Sequence, residues 1–364
     1  MSIGIITFQA SHNFGSMLQA FALKNYLKQI DKAVSIINYR TNNQKDIYSV
    51  FTKRKGFKYI LKNAYSALHY GALKSKYKKF EAFLYDELEC KNEYGLIGQI
   101  QNAKYDLVVF GSDQIWNISA NDFDWLYLGE GVLTRKIAYA VSCGPGKIEI
   151  AEKKRISEDL NCFDLISVRD NATKVFVENN SGKMAEIVCD PVFLLEKQQW
   201  EQLMTTALKN FPEKYIFFYS LGCDKRMNRI VRKISKALNL PIVTLNTSNQ
   251  NDMFLGKKIL DSGPKEFVTL IRNASVVVTS SFHAMLFSVI FNKLFYVIGG
   301  KSDKRKCDLL KKWQLETQSI DGEIDIELIK KQYSNFNCDY SELVKSEKNL
   351  GADFICRAVY EKNM

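Results

Sequence analysis

Ile3-Gly4-Ile5-Ile6-Thr7-Phe8, followed by Gln9-Ala10-Ser11-His12-Asn13-Phe14-Gly15, is the stretch that decides the fold. The first part is a short apolar run and predicts a buried strand; the second is turn chemistry. From Ser16 to Ile30, apolar residues at Leu18, Ala22, Tyr26 and Ile30 keep a helical period, and Val34 to Tyr39 predicts a second strand. Strand, loop, helix, strand in that order is the signature of a parallel, doubly wound α/β sheet, whose ligands lie beyond the carboxyl ends of its strands. Further strands are expected at Tyr105–Phe110, Arg135–Val141, Leu165–Val168 and Ile187–Val188.

After Asp190-Pro191 the pattern restarts. Lys197–Phe211 reads as a helix, Tyr215–Gly222 as a buried strand ending in glycine, and Asp224–Leu238 as a basic amphipathic helix. A strand at Pro241–Leu245, a helix at Gly263–Asn273, a strand at Ser275–Thr279, a helix at Phe282–Phe291 and a strand at Leu294–Ile298 follow. Two α/β units in series are the simplest account. The expected boundaries are 1–192 and 193–335, with 336–364 a helical segment, mainly Tyr340–Glu361, packing back on the body.

The 364 residues are 46% hydrophobic, enough for two cores, and 51 Lys+Arg against 40 Asp+Glu leave a net charge of +11. That surplus points to a polyanionic partner or an anionic substrate. The most apolar run, Ala284–Ile298, is broken by Asn292 and Lys293, so no membrane span is expected. The amino-terminal residues lack a basic leader, which places the chain in the cytoplasm. Eight scattered cysteines with no CxxC argue against a zinc or redox site, and no metal is expected.

Four motifs stand at predicted strand ends or in loops, where binding residues concentrate. Ser11–Ser16 opens a helix, and Asn13, Gly15 and Ser16 suit either an anion held by amides or a plain helix cap. In Gly111-Ser112-Asp113-Gln114-Ile115-Trp116, the glycine turns the chain so that Ser112, Asp113 and Gln114 face a ligand. Asp113 then orients or deprotonates a hydroxyl and Trp116 offers its face to a sugar ring; the structural alternative has Asp113 as a cap and Trp116 in the core. Arg169 ends a strand and suits carboxylate or phosphate, or else an ion pair with a neighbouring acid. Thr279-Ser280-Ser281-Phe282-His283 ends an apolar strand with hydroxyls for an oxyanion and a histidine for acid–base work. Gly222, at the end of its own strand, joins Ser280 and Ser281 among the substrate-binding candidates.

Taken together these motifs resemble the polysaccharide pyruvyltransferase family. The residues that carry the resemblance are Asn13-Phe14-Gly15, Gly111–Trp116, Tyr139–Gly144, Ser167-Val168-Arg169-Asp170, Asp190-Pro191 and Ser281-Phe282-His283. The resemblance implies two Rossmann-like domains facing a central cleft, similar to GT-B glycosyltransferases. It also implies transfer of the pyruvyl group of phosphoenolpyruvate (PEP) to a sugar, with PEP as co-substrate and no other cofactor. By motif, His283 would be catalytic beside the PEP phosphate, Arg169 a ligand of PEP, and Asp113 near the acceptor. Ser281 stands where some relatives carry an arginine, and Ala284 where a glycine is frequent.

From Ile47 to Phe80 there is no acidic residue, while Lys53, Arg54, Lys55, Lys58, Lys62, Lys74, Lys76, Lys78 and Lys79 alternate with aromatic and aliphatic residues. Residues 53–79 thus read either as an anionic-membrane-binding segment or as a solvated helix with its tyrosines and leucines in the core. The membrane reading suits an acceptor oligosaccharide carried on polyprenyl diphosphate, and makes the chain peripheral at the inner membrane face. Nucleic acid is not expected as a partner, for want of a recognised motif. The rival functions are a GT-B glycosyltransferase with a nucleotide-sugar donor and a non-catalytic component of polysaccharide assembly.

Overall fold

A computed structural model describes residues 1–95, 100, 105–144, 152–206, 208, 211–222, 225–245, 255–299 and 303–360. The chain divides into two compact units, one made of Met1–Leu195 with Ser346–Met364 and the other of Glu196–Lys345. Among the described residues no helix is long and apolar enough to cross a membrane.

In the first unit, strands β1 (Ile3–Ile6), β2 (Val34–Ile36), β5 (Leu107–Phe110), β6 (Lys136–Val141), β7 (Leu165–Val168) and β8 (Ala185–Ile187) form one parallel sheet in the order β2-β1-β5-β6-β7-β8. Asn38–Tyr39 (β3) and Glu93–Tyr94 (β4) pair separately. The inner strands IGII, LVVF and KIAYAV are buried at every position, as helices on both faces of a parallel sheet require. The helices are α1 (Phe14–Ile30), α2 (Asn42–Tyr48), α3 (Phe57–Leu68), α4 (Tyr70–Ala82), α5 (Lys153–Asn161) and α6 (Asn171–Asn180). β1 is hydrogen-bonded to β2 on one side and to β5 on the other. The chain therefore winds in opposite senses from these two strands, and their carboxyl ends open a switch point, the place where ligands bind in such sheets.

The second unit repeats the plan. β9 (Ile216–Tyr219), β10 (Ile242–Leu245), β11 (Lys257–Ile259), β12 (Val276–Thr279), β13 (Leu294–Ile298) and β14 (Ser319–Ile320) are parallel in the order β11-β10-β9-β12-β13-β14, the Rossmann order. Its helices are α7 (Lys197–Gln202), α8 (Lys225–Leu238), α9 (Pro264–Asn273), α10 (Phe282–Ile290), α11 (Lys304–Lys312) and α12 (Ile326–Ser334). The last helix, α13 (Ser341–Tyr360), crosses the division between the units. All nine residues of α10 are buried. Here the switch point lies between β9 and β12.

Two expected elements differ. The strand expected at Val34–Tyr39 is split, because after Ile37 donates to Ile5 the chain leaves the main sheet and Asn38–Tyr39 pairs with β4. The helix expected to reach Phe211 stops at Gln202; beyond it the Thr205 amide is taken by the Thr269 hydroxyl at 3.0 Å, out of helical register. Residues 207, 209 and 210 of that expectation, and Asp224 and Glu361 of two others, lie outside the described residues.

One glycine is indispensable to the first switch point. Gly111 has φ +131°, and a Cβ there would stand 2.0 Å from the Tyr139 carbonyl oxygen. Gly111→Ala is expected to lower stability by at least about 1–3 kcal/mol, the usual cost of overpacking. Gly71→Ala, in α4 with no atom within 4 Å of the new methyl, should instead raise it slightly. Urea denaturation midpoints of the two variants check the contrast.

Candidate functional site

At the first switch point the loop after β1 and the loop after β5 are tied together by buried polar side chains. The Gln19 amide, on α1, donates to the Thr7 hydroxyl and the Ser16 carbonyl, both at 2.8 Å, and accepts from the Ser112 amide at 3.0 Å. Thr7 in turn donates to the Ser112 carbonyl at 3.1 Å. The Ser112 hydroxyl donates to the Ala140 carbonyl at 2.6 Å, which fastens the loop to β6.

Arg169 is the hub of this arrangement. It is buried, and its guanidinium donates to Asp190 at 2.8 Å and Asp113 at 3.1 Å. Burial opposes its charge, but Asp113, Asp190 and Asp170 outweigh it and raise the guanidinium above its ordinary range. The other Asp113 oxygen accepts from the Ser16 hydroxyl, and the other Asp190 oxygen from the Val192 amide at 3.2 Å. Asp170 accepts from the Ser142 hydroxyl and from the amide and hydroxyl of Thr173, at 2.7, 2.8 and 2.8 Å. Asp113 holds φ +77°, a conformation that costs about 1–3 kcal/mol unless its surroundings enforce it.

Several expectations are corrected by these placements. Arg169 is not presented to a ligand such as PEP, because two carboxylates take it inside the unit. Trp116 offers no face to a sugar: it is 1% exposed, donates to the Tyr127 carbonyl at 2.8 Å and packs edge-on against Phe163. Ser112 is fully buried, and the Ser16 hydroxyl is committed to Asp113. Asn13 is a helix cap, its Oδ1 accepting from the Gly15 and Ser16 amides at 3.0 and 3.5 Å, so those amides are already engaged. His12, Asn13, Gln114 and Asn117 are among the residues these loops leave partly exposed.

His12 was not singled out by the sequence reading. Its ring stacks on Phe80 and Tyr48, at 5.0 and 5.5 Å between centroids, and Nε2 lies 3.0 Å from Glu81. Glu81 also accepts both terminal nitrogens of Arg40 at 3.0 Å. Burial lowers the His12 pKa against the pull of Glu81. Burial works the other way on Glu81, but hydrogen bonds from His12 and Arg40 prevail and lower it to about 2. Glu81, from α4, answers Arg40 just after β3, a pairing 41 residues apart that no local pattern signals.

At the second switch point the structure brings together Gly222, Ser280, Ser281 and His283. The Ser220 and Ser280 hydroxyls lie 2.6 Å apart, and Ser220 donates to the Gly222 carbonyl. Ser281 caps α10, its hydroxyl accepting from the Ala284 amide at 3.4 Å. His283 stands in the first turn of α10, 8% exposed, its ring edge-on to Phe282 at 5.5 Å. Two cations missed by the sequence reading are beside them. Lys306 donates to the Ser280 carbonyl at 2.8 Å, and the Arg305 guanidinium lies 5.6 Å from the Phe282 ring while paired with Asp303. Burial lowers the Lys306 pKa, with Asp303 3.6 Å away acting against it. The signal was present in Asp303-Lys304-Arg305-Lys306, a basic run just after the predicted strand Leu294–Ile298.

Hydroxyls, a histidine and two cations at a helix amino terminus form a setting for an anion that must gain or lose a proton. Similarity to known proteins agrees with the fold and shows the family. A model of the polysaccharide pyruvyl transferase family matches residues 13–302. The UDP-GlcNAc 2-epimerase of Methanocaldococcus jannaschii superposes with a TM-score of 0.55 at 11% identity, covering 99% of this chain and 100% of that one. MnaA of S. aureus, solved with UDP, gives 0.52 at 11% identity over 99% and 98%. At that identity the likeness speaks for the fold, which is of the GT-B type with two Rossmann-like units. No curated protein shows significant sequence similarity to the chain.

Arg169→Met would leave Asp113 and Asp190 without their shared counter-charge, and is expected to cost about 3–5 kcal/mol of stability in urea denaturation. Glu81 supplies a pH signature. With its folded-state pKa lowered to about 2 from 4.5, its contribution is complete above pH 4.5 and is lost as the pH falls towards 2. The stability difference between wild type and Glu81→Gln should therefore be constant above pH 4.5 and shrink below it, as followed by denaturation at a series of pH values.

Proposed function

Because the chain belongs to the polysaccharide pyruvyl transferase family, we propose that it moves the pyruvyl group of PEP onto a sugar of a surface-polysaccharide precursor. The product is a pyruvate ketal and the leaving group is phosphate; the acceptor is carried on a lipid diphosphate, and the compartment is the cytoplasm. PEP is the co-substrate, and the reaction as proposed uses no other cofactor.

The observation that carries this reading is the group at the second switch point. PEP presents a carboxylate and a phosphate, and Ser280, Ser281, Arg305 and Lys306 provide hydroxyls and positive charge beside His283. The balance of the reaction sets the demands. One acceptor hydroxyl adds through oxygen to C2 of PEP while C3 gains a proton and becomes a methyl group. A second hydroxyl then bonds to C2 as the C2–O bond to phosphate breaks, and its proton leaves with the phosphate. His283 is assigned the proton at C3 or the departing phosphate oxygen. Asp113 is assigned the acceptor hydroxyl, with Arg169 holding its carboxylate in place and Gln114 beside it as an acceptor contact.

His283→Asn should lower phosphate release from PEP, in the presence of soluble glycosides bearing two neighbouring free hydroxyls, by about 10²–10⁴-fold. Circular dichroism should be unchanged. In the wild type, PEP should raise the melting temperature and UDP-N-acetylglucosamine should not. Near-normal turnover by the variant would remove His283 from the mechanism; stabilisation by the nucleotide sugar alone would replace the pyruvyl donor with a glycosyl donor.

A further inference from the structure

Helix α3 (Phe57–Leu68) is inside out. Its one buried residue is Ser66. Asn63 exchanges two 3.0 Å hydrogen bonds with the Thr52 backbone, and Lys62 donates to the Ile47 carbonyl at 3.3 Å. The polar face thus packs on the protein. The opposite face carries Phe57, Ile60, Leu61, Ala64 and Leu68, spaced i, i+3, i+4, i+7 and i+11 along one stripe. Four of these are exposed to 76%, 64%, 50% and 82%: Phe57, Ile60, Leu61 and Leu68. Phe51 and Tyr70 extend the stripe, both 44% exposed, with their rings stacked at 5.7 Å. A stripe of this kind turned towards water is a marker of an interaction surface.

The charge around it selects the partner. Lys53, Lys55 and Lys58 are exposed at the amino-terminal end of the stripe, Lys74 lies over the Tyr70 ring at 5.2 Å, and no acidic residue occurs from Ile47 to Phe80. Apolar side chains in one face, rimmed by cations and tyrosines, match a bilayer interface, where acyl chains take the stripe and anionic headgroups take the lysines. We propose that α3 docks the chain on an anionic membrane by inserting Phe57, Ile60, Leu61 and Leu68 into the headgroup and acyl boundary. The geometry does not depend on the pyruvyl-transfer reading, but it gives a lipid-carried acceptor its place.

The test uses the full chain and vesicles of phosphatidylglycerol with phosphatidylcholine, against phosphatidylcholine alone. Wild type should co-sediment with the anionic vesicles and be released by high salt. Phe57→Ser combined with Leu61→Ser should weaken that partitioning by about tenfold or more, as loss of the apolar anchor requires. Because neither side chain is buried in the core, circular dichroism and melting temperature should stay close to wild type. The rise in melting temperature with PEP should also persist, which keeps failure of docking distinct from failure of the donor assignment. Equal vesicle binding by the double variant would overturn the proposal, as would absence of wild-type binding. So would a concentration-dependent dimer that the double variant dissolves without any effect of lipid, which would give the face to a second copy of the chain.

Discussion

The first unit depends on one buried cation. Arg169 leaves the end of β7 and meets Asp113 from the loop after β5 and Asp190 from the segment after β8. Each acid is held in turn by other groups, so the carboxyl ends of β5, β7 and β8 are connected through a single guanidinium. A charge kept out of water is tolerable only when paired and hydrogen-bonded, and the planar fork of arginine can address two carboxylates at once. The motifs around Gly111, Ser142 and Asp170 are parts of the same connection. They shape the loops at the carboxyl ends of the strands.

The second unit solves a similar problem with lighter means. The Thr279 hydroxyl donating to the Tyr219 carbonyl and the paired hydroxyls of Ser220 and Ser280 join the ends of β9 and β12, and His283 sits just beyond, on a helix buried all round. Burial of α10 helps to fix the position of His283. Cations from the first turn of α11 then add charge, Lys306 bonding to the Ser280 carbonyl and not to its hydroxyl.

The doubly wound plan was legible because it rests on local pattern. Apolar runs such as Leu165–Val168 and Leu294–Ile298 coincide with strands to the residue. The strand Lys257–Ile259 was not legible, since two of its three residues are lysines and only pairing with β10 makes it a strand. The site divides in the same manner. Ser280, Ser281 and His283 were singled out from their place after an apolar strand, and they do lie together at the end of β12. Arg169 and Trp116 were assigned to ligands because what claims them is distant: Asp113 is 56 residues from Arg169, and Trp116 is held by the Tyr127 carbonyl and the Phe163 ring. Residue type announces what a side chain can bind; only the fold decides whether another part of the chain has bound it first. The basic segment leaves two readings open, its apolar residues either in the core or facing outward, and the polar hydrogen bonds of Asn63 and Lys62 turn the apolar face of α3 outward.

The closing helix has a consequence for how the protein is made. The end of α13 belongs to the first unit: Arg135 donates to the Ala358 carbonyl at 3.0 Å, and a methyl group at Gly351 would stand 2.3 Å from the Tyr139 hydroxyl. A ribosome delivers the opening strands of that unit before the second unit and its closing helix after it. The second unit can thus complete its core while the first is still unfinished. The strands made before the second unit wait for a partner that is made only after it.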